Sequence, residues 1–249
     1  MSDPDLPSSS ATLFLEQEVY RLGTAPGFRY LPPGPVRDFI LLSWGPLIYR
    51  TSYKPETKHL IHSFLRCLND AISSSLSQLS GSDEEIKLLT QAYSSKLFSN
   101  RDIYADVGEE AVRRVFHEYK ASLDIPATDL PSRLRVCLMV DDAVLSNLKA
   151  ILNLSEILEK STDIDRCWVK VIEENFPDSR FGDRPYVANV DFSDEVDGVG
   201  DYRGNYRGWT MVALSALVEV FDGLRQMKHL VRYHREGRVY LGGGKWSSI

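Results

Sequence analysis

A chain of 249 residues with 43% hydrophobic and 26% charged side chains has the make-up of an ordinary globular protein with a sizeable core. Its formal charge of −6 repels phosphate backbones, so nucleic acid is not an expected partner, and no run of apolar residues is long enough to cross a bilayer. The cysteines Cys67, Cys137 and Cys167 are odd in number and far apart, which argues against a disulfide framework and for reduced, mostly buried thiols.

Residues 1–12 read as a disordered tail and 13–245 as a single domain. The start, MSDPDLPSSSAT, carries acids where a secretory signal has a basic region, so a cytoplasmic location is expected. ATLFLEQEVY suits a short helix, and the Pro- and Gly-rich stretch from Gly23 to Asp38 is irregular. FILLSWG and PLIYRTSY follow as strand candidates. In the second, Leu47, Tyr49, Thr51 and Tyr53 alternate with Ile48, Arg50 and Ser52, the period of a strand with one covered face.

Pro55-Glu56 opens a helix whose Ile61, Phe64, Leu65, Leu68 and Ile72 form one apolar stripe. Ser82-Asp-Glu-Glu85 is a capping box for the next helix, and Asp106 is the expected cap of a third that carries Val112, Val115, Phe116, Tyr119 and Leu123 on one face. LRVCLMVDD is nearly all apolar, as in a central strand covered on both faces. Val144, Leu148, Ile151 and Leu158 mark a helix, CWVKVIE a strand, and YVANV a candidate edge strand. WTMVALSALVEVFDGL is apolar all round and reads as one buried helix. The set predicts an α+β fold: a single mixed β-sheet with helices packed mainly on one face.

Between the last two sits DFSDEVDGVGDYRGNYRGW, part of an acidic loop at 191–208, with five acids in eleven residues before two Tyr-Arg-Gly steps. Neither register of an EF-hand fits, because position 12 is Gly204 in one and position 5 is Val199 in the other. Arg203, Tyr206, Arg207 and Trp209 could grip an anion with guanidinium forks and ring faces, making the loop a lid. The plainer reading is a connector whose acids neutralise its arginines.

His59 and His62 share a helix face but lack further zinc ligands, so they read as boundary histidines and no metal is expected. LGGGKWSS misses the phosphate-loop spacing, no nucleophile elbow is present, and no dinucleotide fingerprint occurs, so no cofactor is expected. What remains are polar groups at element ends. Asp141 and Asp142 close the most buried strand, where Asp142 also suits a helix cap, and Asp102 precedes a helix. These three are the candidate acid/base groups, and Arg50, Arg203, Tyr206, Arg207 and Trp209 the candidate ligand-binding ones.

The ordered set PLIYRTSY, NRDIYADVGEEAVRRVFHEY, RLRVCLMVDDAVL and the acidic stretch ending in GWTMV resembles a group of intracellular proteins of filamentous fungi. Their shared pattern is an I-Y-R-[TC]-x-Y strand, an R-D element before a V-R-x-x-F helix, a V-D strand end, and an acidic segment before G-W. The resemblance covers roughly residues 36–240 and implies an intracellular setting, but the group has no established activity to carry over. Arg50, Asp102, Asp141 and Trp209 fall on its motifs, whereas the doubled Tyr-Arg-Gly departs from them.

Two functions are therefore expected. One is a module binding a protein partner or a small ligand, with an accessory place in specialised metabolism. The other is a cofactor-independent cyclase, isomerase or transferase that uses the strand-end carboxylates and loop arginines.

Overall fold

The protein is described by a computed structural model over residues 9–19, 33–125, 130–158, 166–174, 176, 206–225 and 230–248. Helix α1 (Ser10–Phe14) opens on Ser9, whose hydroxyl accepts from the Thr12 amide, and continues as a π-helical turn over Leu15–Val19. Ser10, Ala11 and Thr12, expected in the tail, are thus helical, and Ala11 and Phe14 are fully buried. FILLSWG does not form a strand. Its Phe39, Ile40 and Leu41 end helix α2 (Pro35–Leu41), where proline at the start supplies a helical φ and needs no amide partner.

Strand β1 (Leu47–Arg50) is buried at every position, so both of its faces are covered rather than one. Helix α3 (Leu60–Leu76) begins only after a turn over 55–59, and buries the expected stripe of Ile61, Phe64, Leu68 and Ile72. Helix α4 (Asp83–Ala92) carries the expected capping box: the Ser82 amide donates to Glu85 at 2.7 Å and the Glu85 amide to the Ser82 hydroxyl at 3.3 Å. The edge strand β2 (Lys96–Phe98) and the single turn α5 (Arg101–Tyr104) follow. Helix α6 (Glu109–Ser122) is capped by Gly108, not by Asp106, which instead turns the chain with φ 56° while its amide donates to the Thr51 carbonyl.

Strand β3 (Val136–Val140) has five buried residues, as a central strand requires. Helix α7 (Asp142–Leu158) and strand β4 (Trp168–Glu173) come next. WTMVALSALVEVFDGL is not one helix: strand β5 (Trp209–Ala213) leads through a 3-10 turn at Leu214–Ala216 into helix α8 (Leu217–Arg225). An all-round apolar run fits a strand covered on both faces as well as a buried helix, and the free edge of β4 selects the strand. A hairpin of β6 (Arg238–Gly242) and β7 (Lys245–Ser248) ends the described chain. The candidate strand YVANV lies outside the described residues.

The strands form one mixed seven-stranded sheet in the order β2-β1-β3-β4-β5-β6-β7. Strands β1, β2, β3, β5 and β6 run one way, and β4 and β7 the other. The larger core lies under α1, α3, α4, α7 and α8 against Ile48, Leu138 and Val171, so the helices sit mainly on one face. A smaller core on the other face packs α2, α5 and α6 over Tyr49, Met139 and Ile172. Connections therefore leave the carboxyl ends of the adjacent parallel strands β1 and β2 toward opposite faces, a topological switch point.

Buried polar groups fasten distant segments. Arg133 has no exposed surface and donates to the carbonyls of Gly45 at 3.0 Å, Phe39 at 2.5 Å and Ser94, with its guanidinium 3.9 Å over the Phe39 ring. Glu18, also buried, accepts from the Ser132 amide at 3.0 Å and hydroxyl at 2.9 Å. The Ser132 hydroxyl contacts the Phe221 carbonyl at 3.1 Å, and Arg225 donates to Gln17 at 2.8 Å. One short N-terminal segment is thereby tied to both the start of β3 and α8.

Candidate functional site

Parallel alignment brings the ends of β1, β3, β5 and β6 to one rim of the sheet, and helices α3, α6 and α7 begin there. Helix N-termini favour carboxylates, and three gather at this rim. Asp141, rather than Asp142, caps α7, its Oδ1 accepting from the Val144 amide at 3.0 Å. Its other oxygen meets Lys170 Nζ at 2.6 Å, and the same ammonium reaches Glu109 Oε1 at 2.5 Å. Lys170 also stands 4.9 Å from the centre of the Trp209 ring.

Asp142 belongs to an adjoining network, accepting from the Ser52 hydroxyl and pairing with Lys54. Ser52 also shares a hydrogen bond with Thr57 at 2.9 Å, and its carbonyl accepts from Arg50 Nε at 2.7 Å. Arg50 is buried, with its guanidinium 4.7 Å over the Tyr53 ring. Arg50, Asp141 and Asp142 thus do converge, and Trp209 touches the group through Lys170.

The electrostatics of this cluster favour ions. Burial pushes the Asp142 carboxyl up, but Lys54 and Ser52 more than offset it and hold it below the usual carboxylate range. Burial likewise raises Glu109, and Lys170 outweighs it, leaving Glu109 low. For Lys170, burial acts to lower the pKa, while Asp141 and Glu109 raise it beyond its ordinary value. The groups compensate one another as charges.

The remaining predicted residues lie elsewhere. Asp102 is exposed in the first turn of α5, where Asn100 caps its amide. Tyr206 is buried and donates to Glu173 Oε2 at 2.7 Å, its ring 5.4 Å from that of Phe176. Arg113 donates to the carbonyls of Arg207 at 2.8 Å and Gly208 at 3.2 Å. Arg207 itself is exposed. These contacts surround the end of β4, the rim opposite Asp141, about 17 Å away at roughly 3.3 Å per residue along β3. The described part of the loop therefore does not sit over Arg50 and Asp141, and Arg203 lies outside the described residues.

Sequence reading missed a concavity on the main helical face at the first rim. Its volume is about 960 Å³, between the end of α3, the start of β4, the turn after β5 and the β6–β7 hairpin. Hydroxyls of Ser74, Ser75, Ser215 and Ser247, the cations Arg166 and Lys245, the carboxylate of Glu219, and the apolar Trp168 and Val239 line it. None of the described candidates named from sequence does. The hairpin is held by Glu219, which accepts from Tyr240 at 2.5 Å and from the Gly243 amide at 2.9 Å. Gly-Gly-Gly between R-V-Y-L and K-W-S-S was the available signal, because consecutive glycines supply the positive φ of a tight hairpin turn.

No three His, Cys, Asp or Glu side chains gather at metal-ligating spacing among the described residues, and His59 and His62 are exposed. No described helix is long and apolar enough to cross a membrane. No family model matches the chain, and neither a curated protein nor a solved structure does.

Proposed function

We propose that this chain is a ligand-binding module that holds a small polar molecule in the concavity beside the β6–β7 hairpin. The observation that carries this reading is the cavity of about 960 Å³, at the upper end of the roughly 300–1,000 Å³ common for ligand sites. Hydroxyls and two cations on its wall suit a ligand rich in hydrogen-bonding oxygens. A concave wall favours a small ligand over a protein partner. The enzyme reading, as cyclase, isomerase or transferase, asks Asp141 or Asp142 to exchange protons, and Asp102 stands apart from both. General acid–base work is served by a pKa near the working pH, whereas Asp142 is held in the opposite direction and Asp141 is bound to Lys170. A cytoplasmic setting and an accessory place in fungal specialised metabolism complete the proposal. They rest on the motif order from PLIYRTSY to GWTMV.

A thermal-shift screen of sugars, polyols, nucleosides and small carboxylates tests it. At about a hundred times Kd a bound compound contributes about 2.7 kcal/mol, a clear rise in Tm. Ser247→Trp, which fills the cavity from an edge strand, should leave the unliganded Tm in place and abolish that rise. Absence of any stabilising compound, or a compound whose effect survives Ser247→Trp, would overturn the reading.

A further inference from the structure

Glu174 follows β4, and its side chain has no exposed surface. Its amide donates to the Arg135 carbonyl at 3.0 Å, which extends the pairing of β3 with β4 by one step and fixes where the carboxylate lies. Two side chains of α6 meet it there: His117 Nδ1 stands 2.6 Å from Oε1, and Lys120 Nζ 2.6 Å from Oε2. Residues three apart share a helix face, so a single carboxylate reaches both. A buried carboxylate is costly unless it is paired, and Lys120, with its side chain 14% exposed, supplies the counter-charge. The His117 side chain is 64% exposed, so the same carboxylate also anchors a ring that faces water.

A carboxylate only accepts, so Nδ1 carries the ring hydrogen and the lone pair of the neutral imidazole is left on Nε2. The surroundings of that nitrogen attract anions. Within four residues of His117 the helix carries Arg113, Arg114 and Lys120 against Glu118, so with Glu174 there are three positive charges to two negative, on a chain whose net charge is −6. Arg113 is held by the carbonyls of Glu173, Arg207 and Gly208, whereas Arg114 is exposed one turn before His117. We propose that His117 is a phosphoryl-accepting histidine that takes the group onto Nε2 from a donor with a P–N bond.

The Nε2 lone pair attacks phosphorus, the P–N bond breaks, and the amine, already protonated in the donor, leaves neutral with the electron pair. Such a donor has no carbonyl carbon to compete for the imidazole. The ring keeps its Nδ1 hydrogen and becomes a cation, and Glu174 at 2.6 Å offsets the charge that forms. A neutral ring and a singly negative phosphoramidate give a singly negative phosphohistidine and ammonia, with nothing oxidised or reduced. Glu174 is thus a positioning residue for His117. The site stands at the end of β4, whereas the cavity lies at its start, so it does not depend on the cavity being occupied.

The test incubates the folded chain with potassium phosphoramidate at about pH 8, where imidazoles are neutral, and maps acid-labile phosphate on peptides kept alkaline. His59 and His62, exposed and without a carboxylate partner among the described residues, are references within the same chain. His117 should react at least about tenfold faster than either, and phosphorus NMR should show its Nε2 isomer alone. Glu174→Gln should lower the His117 rate about tenfold while the rates at His59 and His62 stay in place, a ratio that a merely structural role would not move. His117→Asn, at an exposed position, should remove the fast phase. Equal rates at the three histidines of the wild-type chain, or phosphate on Nδ1 of His117, would overturn the proposal whether or not Glu174→Gln folds.

Discussion

Lys170 is the residue on which the rim cluster turns, because its ammonium is shared by Asp141 and Glu109 while its side chain is only 14% exposed. Lys170→Met removes the cation and leaves two partly buried carboxylates facing each other. The expected loss is about 1–3 kcal/mol at pH 7, below the ~3–5 of a fully buried pair because both carboxylates keep some solvent. The sign with pH follows from the direction of each shift. In the wild-type chain Glu109 is depressed, so its contribution is present above about pH 4.3 and disappears as pH falls through the lower folded value. In the variant, burial without Lys170 raises Glu109, and protonation relieves it. Urea unfolding should therefore show a gap between the two proteins that is widest at neutral pH and narrows below about pH 4. Asp141 was legible as a polar strand end, since it follows five apolar residues. Its partner was not, because Lys170 reaches it only through the antiparallel register that sets Met139 opposite Lys170.

Among elements, those with local signals were legible and those selected by neighbours were not. The Ser82–Glu85 capping box is complete within four residues, and the α3 stripe repeats with the helical period, so both appear where the pattern puts them. Strand β5 has no such signal, and β2, three residues long, exists because β1 offers an edge. The β6–β7 hairpin was overlooked because its glycines were weighed only as a phosphate loop. Two glycines separate conformational from steric demand. Gly243 has φ 56° and open space at the Cβ position, so Gly243→Ala should cost only about 1–2 kcal/mol. At Gly208, φ is 74° and a Cβ would fall 2.4 Å from the Phe176 ring and 2.6 Å from Arg113. Gly208→Ala should cost more than Gly243→Ala by at least about 2 kcal/mol, because it adds overpacking to the same backbone strain. Paired chemical-denaturation curves give that ranking directly, and equal costs would mean that the Arg113 clamp readily gives way.

For the whole molecule, a single mixed sheet under a mainly one-sided helical layer was legible from the order of apolar patterns. The strand order and the rim on which each loop emerges were not, since both depend on pairings between residues far apart in sequence. That is why Tyr206, expected on a lid over Arg50, stands at the opposite rim. The ties from Gln17 to Arg225 and from Glu18 through Ser132 to Phe221 bear also on biosynthesis. At roughly 5–20 residues per second a ribosome needs about 10–40 s to travel from Gln17 to Arg225. Throughout that interval Phe14, Leu15 and Val19 emerge into water ahead of the helix that completes their surroundings, making the nascent chain a client for chaperones that shield apolar segments.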